Sequence, residues 1–379
     1  MELPSVRIER RIVRRIDWYL IIAVLVLNIL SIPLIDSATH GSGDHFYAKR
    51  QAVMVAVSLV VLVLGMAADH RDLVEMSPWL YGINGALLAL VLFVGKTVGG
   101  STRWIPLGFF DFQPSETAKV VTILFCARLL SRWEEPPKSL LNLAFYYAWT
   151  FVPIALVIAQ PDLGTSMVLV VMCTGSLYFG GTPGRRIAKL IVVGVVGIAL
   201  VLCLHSYAGL PLPLHDYQIN RLLTLFNPNA DPLGTGYQVL QSKIAIGSGS
   251  LWGKGLGQGT QNRLDFIPEQ HTDFIFSVVG EELGFIKGLG VLALYLCICY
   301  RCLLAAVTSS DRVGTLVAGG VLTMFLFQVV VNIGMTMGIM PVTGVPLPFL
   351  SHGGTALLVN SFAVGMVLNV GWRKHKILF

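Results

Sequence analysis

Phe266-Ile-Pro-Glu-Gln-His-Thr-Asp-Phe-Ile-Phe276 is a polar run in an otherwise lipid-soluble sequence, and it ends where the apolar segment 273–300 begins. Such a handover marks a chain entering a bilayer, and it puts Asp273 at the boundary. A carboxylate beside hydrocarbon is costly to keep ionised, so it persists where a pathway, a partner or a reaction needs it. Asp273 is therefore the first catalytic candidate.

Hydrophobic residues make up 54% of the 379, charged residues 13%, and the mean hydropathy is +0.71, values foreign to a soluble domain. Runs of about 20 apolar residues recur near 16–36, 52–68, 78–95, 115–131, 142–159, 165–181, 187–205, 273–300, 314–339 and 353–372. They predict an all-α integral membrane protein of about ten transmembrane helices, with residues 1–379 forming a single polytopic domain. No small-residue cleavage site follows the first run, which reads as a retained helix rather than a signal peptide.

Orientation follows from the basic residues, because Lys and Arg in short loops stay cytoplasmic. Arg7, Arg10, Arg11, Arg14 and Arg15, then Arg128, Arg132 and Lys138, Arg185, Arg186 and Lys189, Arg301 and Arg312, and finally Arg373, Lys374 and Lys376 fall on alternate loops. Both termini are therefore expected in the cytoplasm. The net charge of +6 reflects this bias and attraction to anionic lipid, and no aromatic-interleaved basic patch suggests nucleic acid. All six cysteines lie in or beside apolar segments and read as free thiols; Cys297, Cys299 and Cys302 have no His or carboxylate near them in sequence to complete a metal set.

The loop 206–272, between the seventh and eighth runs, is far longer than an ordinary connection. Tyr217, Phe226, Tyr237, Trp252 and Phe266 spread through it predict order. Asp231-Pro-Leu-Gly-Thr-Gly-Tyr237 reads as a turn, and 238–247 as a short amphipathic helix ended by glycine and suited to the membrane interface. The glycines at 247, 249, 253, 255, 257 and 259, with Lys254 among them, have two readings: a phosphate-holding nest, or a tightly turning loop.

Three further outward segments set polar clusters beside apolar spans and read as walls of one site. In Gly99 to Lys119, Pro114-Ser-Glu resembles a helix start, and Glu116 and Lys119, three apart, share a helical face. They are either a register-fixing buried ion pair or direct participants. In Gln160-Pro-Asp-Leu-Gly-Thr-Ser166, Asp162 is placed to cap a restarting helix. The proline-rich run 341–355 predicts a re-entrant or interfacial loop lining a cavity, with His352 as acid, base or hydrogen donor, or as a structural residue. Within the opening stretch, Glu269 and Asp273 are four apart and share a face if the helix begins early; His271 and Thr272 orient Asp273 or cap the helix. Glu281 and Glu282, deeper in the span, need partners or a wet cavity, with Lys287 one choice and helix-packing polarity the default role.

Arg103-Trp, Gln113-Pro-Ser-Glu-Thr-Ala-Lys119, Gln160-Pro-Asp-Leu-Gly-Thr165, the 231–237 turn, Pro268-Glu-Gln-His-Thr-Asp-Phe-Ile-Phe276 and Gly344-Val-Pro-Leu-Pro-Phe-Leu-Ser351 together resemble, in order and over almost the whole chain, the SEDS family of bacterial cell-wall synthesis. Gln241 to Gly249 and Gly259-Thr-Gln261 are closer to its elongation branch, RodA, than to its division branch, FtsW. His352 departs from the pattern, which carries tyrosine or a small residue before the paired glycines.

The resemblance implies a peptidoglycan glycosyltransferase that polymerises lipid II on the outer face of the cytoplasmic (inner) membrane, with Asp273 as the essential residue. It also implies a class B penicillin-binding protein transpeptidase and elongation-complex proteins as partners, with lipid II and lipid-linked nascent glycan as substrates. On this reading Asp273 is the base for the acceptor hydroxyl, with inversion at the anomeric carbon. Arg103, Lys119, Lys243 and Lys254 are candidates for the leaving pyrophosphate, supported by Glu116, Asp162, Glu269, His271, Ser351 and His352. A divalent cation, Mg or Mn, is a candidate cofactor, and no organic cofactor is expected. Two alternatives stand beside it: a lipid II flippase, which needs buried charge at a discontinuous helix, and a scaffold that only activates the transpeptidase.

Overall fold

A computed structural model describes residues 16–39, 45–98, 101–106, 108, 110–133, 135–137, 139–208, 234–263 and 266–373. The N-terminal arginines, Lys138, Lys374, Lys376, Tyr217, Phe226 and the Asp231 end of the expected turn lie outside these residues.

A helix occupies each of the ten apolar runs. In chain order they are α1 (Trp18–Ala38), α2 (Phe46–Ala67), α3 (His70–Val94), α4 (Pro114–Ser131), α5 (Leu140–Ala159), α6 (Leu163–Phe179), α7 (Gly184–Ala208), then the short α8 (Thr235–Ser248), α9 (Thr260–Arg263) and α10 (Ile275–Val278), and finally α11 (Gly284–Thr308), α12 (Arg312–Thr336) and α13 (Gly354–Trp372). Among the described residues seven helical segments are long and apolar enough to cross a membrane, taking Ile275–Thr308 as one. Side-chain caps set several starts: Asp17 accepts from the Leu20 N–H at 3.2 Å, Ser139 from Asn142 at 3.1 Å and Asp311 from Gly314 at 2.9 Å.

Two features depart from an all-helical reading. Between α3 and α4 the chain makes a three-stranded antiparallel sheet, β1 (Lys96–Val98), β2 (Ser101–Pro106) and β3 (Asp111–Phe112), with Thr97 opposite Thr102 and Ile105 opposite Phe112. The eighth run is also not one smooth helix. A π turn over Val279–Leu283 separates α10 from α11, and Gly284 follows at φ +79°.

Packing places α12 at the centre, against α4, α6 and α11, while α13 lies along α2 and also rests on α12, α4 and α11. Gly65 and Gly365 let α2 and α13 touch backbone to backbone: a Cβ on Gly365 would sit 2.3 Å from the Leu62 carbonyl oxygen. One end of the bundle is tied by ion pairs, Arg301–Asp17, Arg71–Asp311 and Arg373–Asp69, each 2.6 Å. The other end carries the sheet, α8, the glycine-rich stretch and the loop 337–353, and Asp273 lies there.

Candidate active site

Asp273 sits, half-buried, on a turn that precedes α10, and its placement is over-determined. Its own N–H donates to the Glu269 carbonyl at 3.0 Å. The Asn332 side chain, rising from α12, donates to the Asp273 carbonyl at 2.8 Å and to the Val345 carbonyl at 2.8 Å. Ser351 donates to the Thr272 carbonyl at 2.5 Å while accepting from the Leu347 N–H at 2.8 Å, and the His352 N–H donates to the His271 carbonyl at 2.9 Å. The 341–353 loop is thus clamped on the Asp273 turn, and Ser351 spends its hydroxyl on that clamp. Thr272 does not cap the helix: its hydroxyl turns back to Glu269 at 3.2 Å, and Phe274 holds the cap position without a side-chain bond. Glu269 is exposed and left-handed, at φ +54°.

The same loop joins the other polar segments into one wall. Thr355 accepts from the Gln113 N–H at 3.2 Å and donates to the Asp111 carbonyl at 3.1 Å. A Cβ on Gly164, at the start of α6, would lie 2.5 Å from the Thr343 carbonyl oxygen. Asp162 caps α6 through the Thr165 N–H at 3.1 Å, and also meets Arg103 Nη1 at 3.3 Å and Gln113 Nε2 at 3.3 Å. Both the capping role and a charged role are therefore realised in one carboxylate. Glu116 and Lys119 pair at 2.6 Å in the first turns of α4, both buried.

The glycine-rich stretch resolves in favour of the tight loop over the phosphate nest, because the protein fills the nest itself. Glu281 and Glu282 lie in the π turn with no exposed surface. Glu281 Oε1 accepts from Lys254 Nζ at 2.7 Å, the Thr260 N–H at 2.8 Å and the Gln261 N–H at 3.1 Å; Glu282 Oε2 accepts from the Gly257 N–H at 3.2 Å, and Ser37 donates to Glu282 Oε1. The partner of this pair is Lys254, not Lys287, which is exposed. The glycines allow backbone contact, since a Cβ on Gly249 would stand 2.0 Å from the Gly280 carbonyl oxygen. Lys254 is accordingly committed away from Asp273. Lys243, on α8, is exposed and lies against Gly338 at the end of α12.

Three residues escaped the sequence reading: Asn332, Gln51 and Tyr47. Asn332 and Gln51 had one visible signal, an amide in an apolar helix. The Tyr47 ring lies 5.2 Å from His271 and 5.4 Å from His352, and the two imidazoles are 5.8 Å apart. Burial holds His271 below the usual histidine value, against the upward pull of Glu269. His352 is pushed down to about 4, first by burial and then by His271 and Arg50. Both are neutral at physiological pH.

Among the described residues no three His, Cys, Asp or Glu side chains converge as a metal site. Two apolar grooves open beside this end. One, of about 400 Å³, runs between α2, α3, α4 and α13 and is lined by Val61, Phe110, Phe112, Val121, Leu358 and Phe362 among others. The other, of about 440 Å³, lies between α8, the π turn and α11, with Ile246, Phe276, Phe285 and Met337 in its wall.

The chain is similar to the peptidoglycan glycosyltransferase MrdB of Escherichia coli K12, at 40% identity over 94% of this chain and 93% of that protein. Among solved structures it resembles a chain of a peptidoglycan synthase complex that coordinates polymerization and crosslinking, with a TM-score of 0.80, 31% identity, and coverage of 95% of this chain and 99% of that one. It also resembles a mutant of the rod shape determining protein RodA of Thermus thermophilus, with a TM-score of 0.71, 29% identity and coverage of 95% and 99%. The FtsW/RodA/SpoVE family, described as cell cycle protein, matches residues 12–376, and the chain belongs to it.

Proposed function

We propose that this chain is a peptidoglycan glycosyltransferase that polymerises lipid II into glycan strands for cell elongation, at the outer face of the cytoplasmic membrane. The observation that carries the reading is the clamped turn: Asp273 is fixed by Asn332, Ser351 and Glu269 at the end of the bundle where both apolar grooves open. A transferase that joins two lipid-linked sugars needs a fixed base in reach of water and room for polyprenyl tails, and the site combines these.

Asp273 takes the proton of the acceptor hydroxyl as that oxygen attacks the anomeric carbon of the lipid-linked chain, with inversion. Pyrophosphate leaves as an anion and needs positive charge rather than an acid. Arg103 and the exposed Lys243 are the cations for it. Arg103 does this with its side chain partly exposed and one nitrogen, at 3.3 Å, on Asp162, whereas Lys119 and Lys254, drawn to 2.6 and 2.7 Å of the buried Glu116 and Glu281, hold the walls instead. Among the described residues no three His, Cys, Asp or Glu side chains converge, so a magnesium or manganese ion would be held by one or two carboxylates together with the pyrophosphate, and no step is assigned to it.

On this reading all ten apolar helices span the membrane, both termini are cytoplasmic, and the end tied by Arg71, Arg301 and Arg373 faces the cytoplasm. Residues 1–379 act as one polytopic unit. A class B penicillin-binding protein supplies crosslinking and activates the chain, within a larger elongation complex. The buried charges Glu116, Lys119, Asp162 and Glu281 lie toward the Asp273 end rather than at the midplane, which suits a transferase better than alternating access.

The test is polymerisation of purified lipid II by this protein with a transpeptidase-inactive partner, comparing wild type with Asp273→Ala. Polymer from wild type alone, with both proteins assembled, supports the reading. Equal polymer from both would remove Asp273 from the chemistry, and none from either would remove the transferase.

A further inference from the structure

His352 is anchored by a hydrogen-bond relay whose polarity can be followed from end to end. The Asn28 carbonyl can only accept, so the Ser31 hydroxyl donates its one proton there, at 2.7 Å. With that proton spent, Ser31 Oγ can only accept from Gln51, and it meets Gln51 Nε2 at 3.1 Å. Gln51 therefore turns its carbonyl oxygen toward His352, 3.1 Å from Nδ1, and that nitrogen must carry the proton. Ser31 and Gln51 are buried between α1 and α2, so water does not scramble the relay.

Every bond in this chain is a protein bond, and its free end is His352 Nε2, which makes no hydrogen bond among the described residues. The ring is only half-buried, stands against Tyr47 and His271, and hangs from the backbone bond that joins the 341–353 loop to the Asp273 turn. A neutral imidazole with its proton locked on Nδ1 presents a lone pair at Nε2 and nothing else. It repels no anion and attracts none, and it recognises an O–H or N–H donor.

We propose that His352 Nε2 accepts a hydrogen bond from a hydroxyl or acetamido N–H of the substrate's amino sugar, with the Gln51–Ser31 relay holding the tautomer that makes this possible. This rests on the transferase reading above and assigns His352 to the sugar rather than to the pyrophosphate. Tyr47 and His271 complete the half-buried wall against which the sugar ring lies. The Tyr47 ring stands edge-on to the imidazole, 5.4 Å between centroids, and packs it in the orientation that the Gln51 bond sets.

The experiment uses full-length protein in nanodiscs carrying Asp273→Asn, so that binding is read without turnover. Affinities for lipid II and for undecaprenyl pyrophosphate, which has no sugar, are measured with His352, His352→Phe and His352→Gln. Phe keeps the ring contacts and loses the acceptor; Gln places an amide oxygen near the Nε2 position. The expected result is about tenfold weaker lipid II binding for His352→Phe, return to within about threefold for His352→Gln, and no change for the sugar-free lipid. Gln51→Leu, which frees the tautomer without touching the ring, gives a smaller, sugar-specific loss and serves if His352→Phe does not fold. Equal lipid II affinity across the set, or parallel loss for the sugar-free lipid, overturns the assignment. A set that behaves as expected while wild type makes no polymer would sink the transferase reading and leave the sugar contact standing.

Discussion

Removing the Glu281 carboxylate should release the glycine-rich loop from the π turn, and the structure gives the size of the effect. One oxygen, wholly buried, holds Lys254 Nζ at 2.7 Å and the Thr260 and Gln261 N–H groups at 2.8 and 3.1 Å. Hydrogen bonds to a charged group contribute about 1.5–3 kcal/mol each, and breaking a buried pair costs about 3–5 kcal/mol. Lys254 is 26% exposed and regains water when the pair is broken. The docking loss for Glu281→Ala is therefore near the lower end, about 3 kcal/mol. That is about a hundredfold in the local opening constant. Hydrogen exchange in nanodiscs reads it directly: amides of Gly257, Thr260 and Gln261 exchange about a hundredfold faster while those of α13 do not change. Glu281→Gln keeps an acceptor for the amides and loses only the charge, and gives about a tenfold acceleration. Exchange within about threefold of wild type in Glu281→Ala would refute the carboxylate clamp and reopen the loop as an anion nest.

Gly253→Ala and Gly284→Ala should each cost several kcal/mol, because the new Cβ would fall 2.2 Å from the Glu282 carbonyl oxygen and 2.1 Å from the Gly253 nitrogen, both at positive φ. Gly257→Ala meets open space and costs only about 1 kcal/mol of left-handed strain; melting temperatures of the three variants in detergent separate the cases. Acidification should destabilise the protein through His352. Its value of about 4 when folded lies below 6.5, so above pH 6.5 both states are neutral and the residue contributes nothing. Below that the unfolded chain binds a proton the folded one refuses, and about 3 kcal/mol is lost as the pH falls to 4. His352→Phe flattens the pH–melting curve in this window; an unchanged slope would contradict the burial of the imidazole.

The sequence by itself determined what depends on neighbours along the chain. Apolar runs located the helices because length and hydropathy alone make a segment able to span, and among the described residues seven helical segments meet that requirement. Pro114 and Glu116 announced the start of α4, Asp162 its capping role, and the spacing of Glu116 and Lys119 their 2.6 Å pair, since each involves groups within one helical turn. The polar run ending at Asp273 singled out the residue on which the proposed function rests, because a carboxylate at a hydrocarbon boundary is informative without knowledge of its partners.

Only the tertiary structure decided which partners those residues take. Ser37 and Glu282 are 245 residues apart, Gln51 and His352 301, and Asn332 and Asp273 59, and no local pattern encodes such pairings. The glycine-rich run looked open to phosphate in sequence because its filling, Glu281 and Glu282, arrives from a π turn that interrupts an apparently continuous apolar segment. The strands between α3 and α4 were hidden because their pairing is too short to show a period. The tautomer of His352 was unreadable for the same physical reason: it is set by the direction of a three-bond relay, and that direction exists only once α1, α2 and the 341–353 loop are packed together.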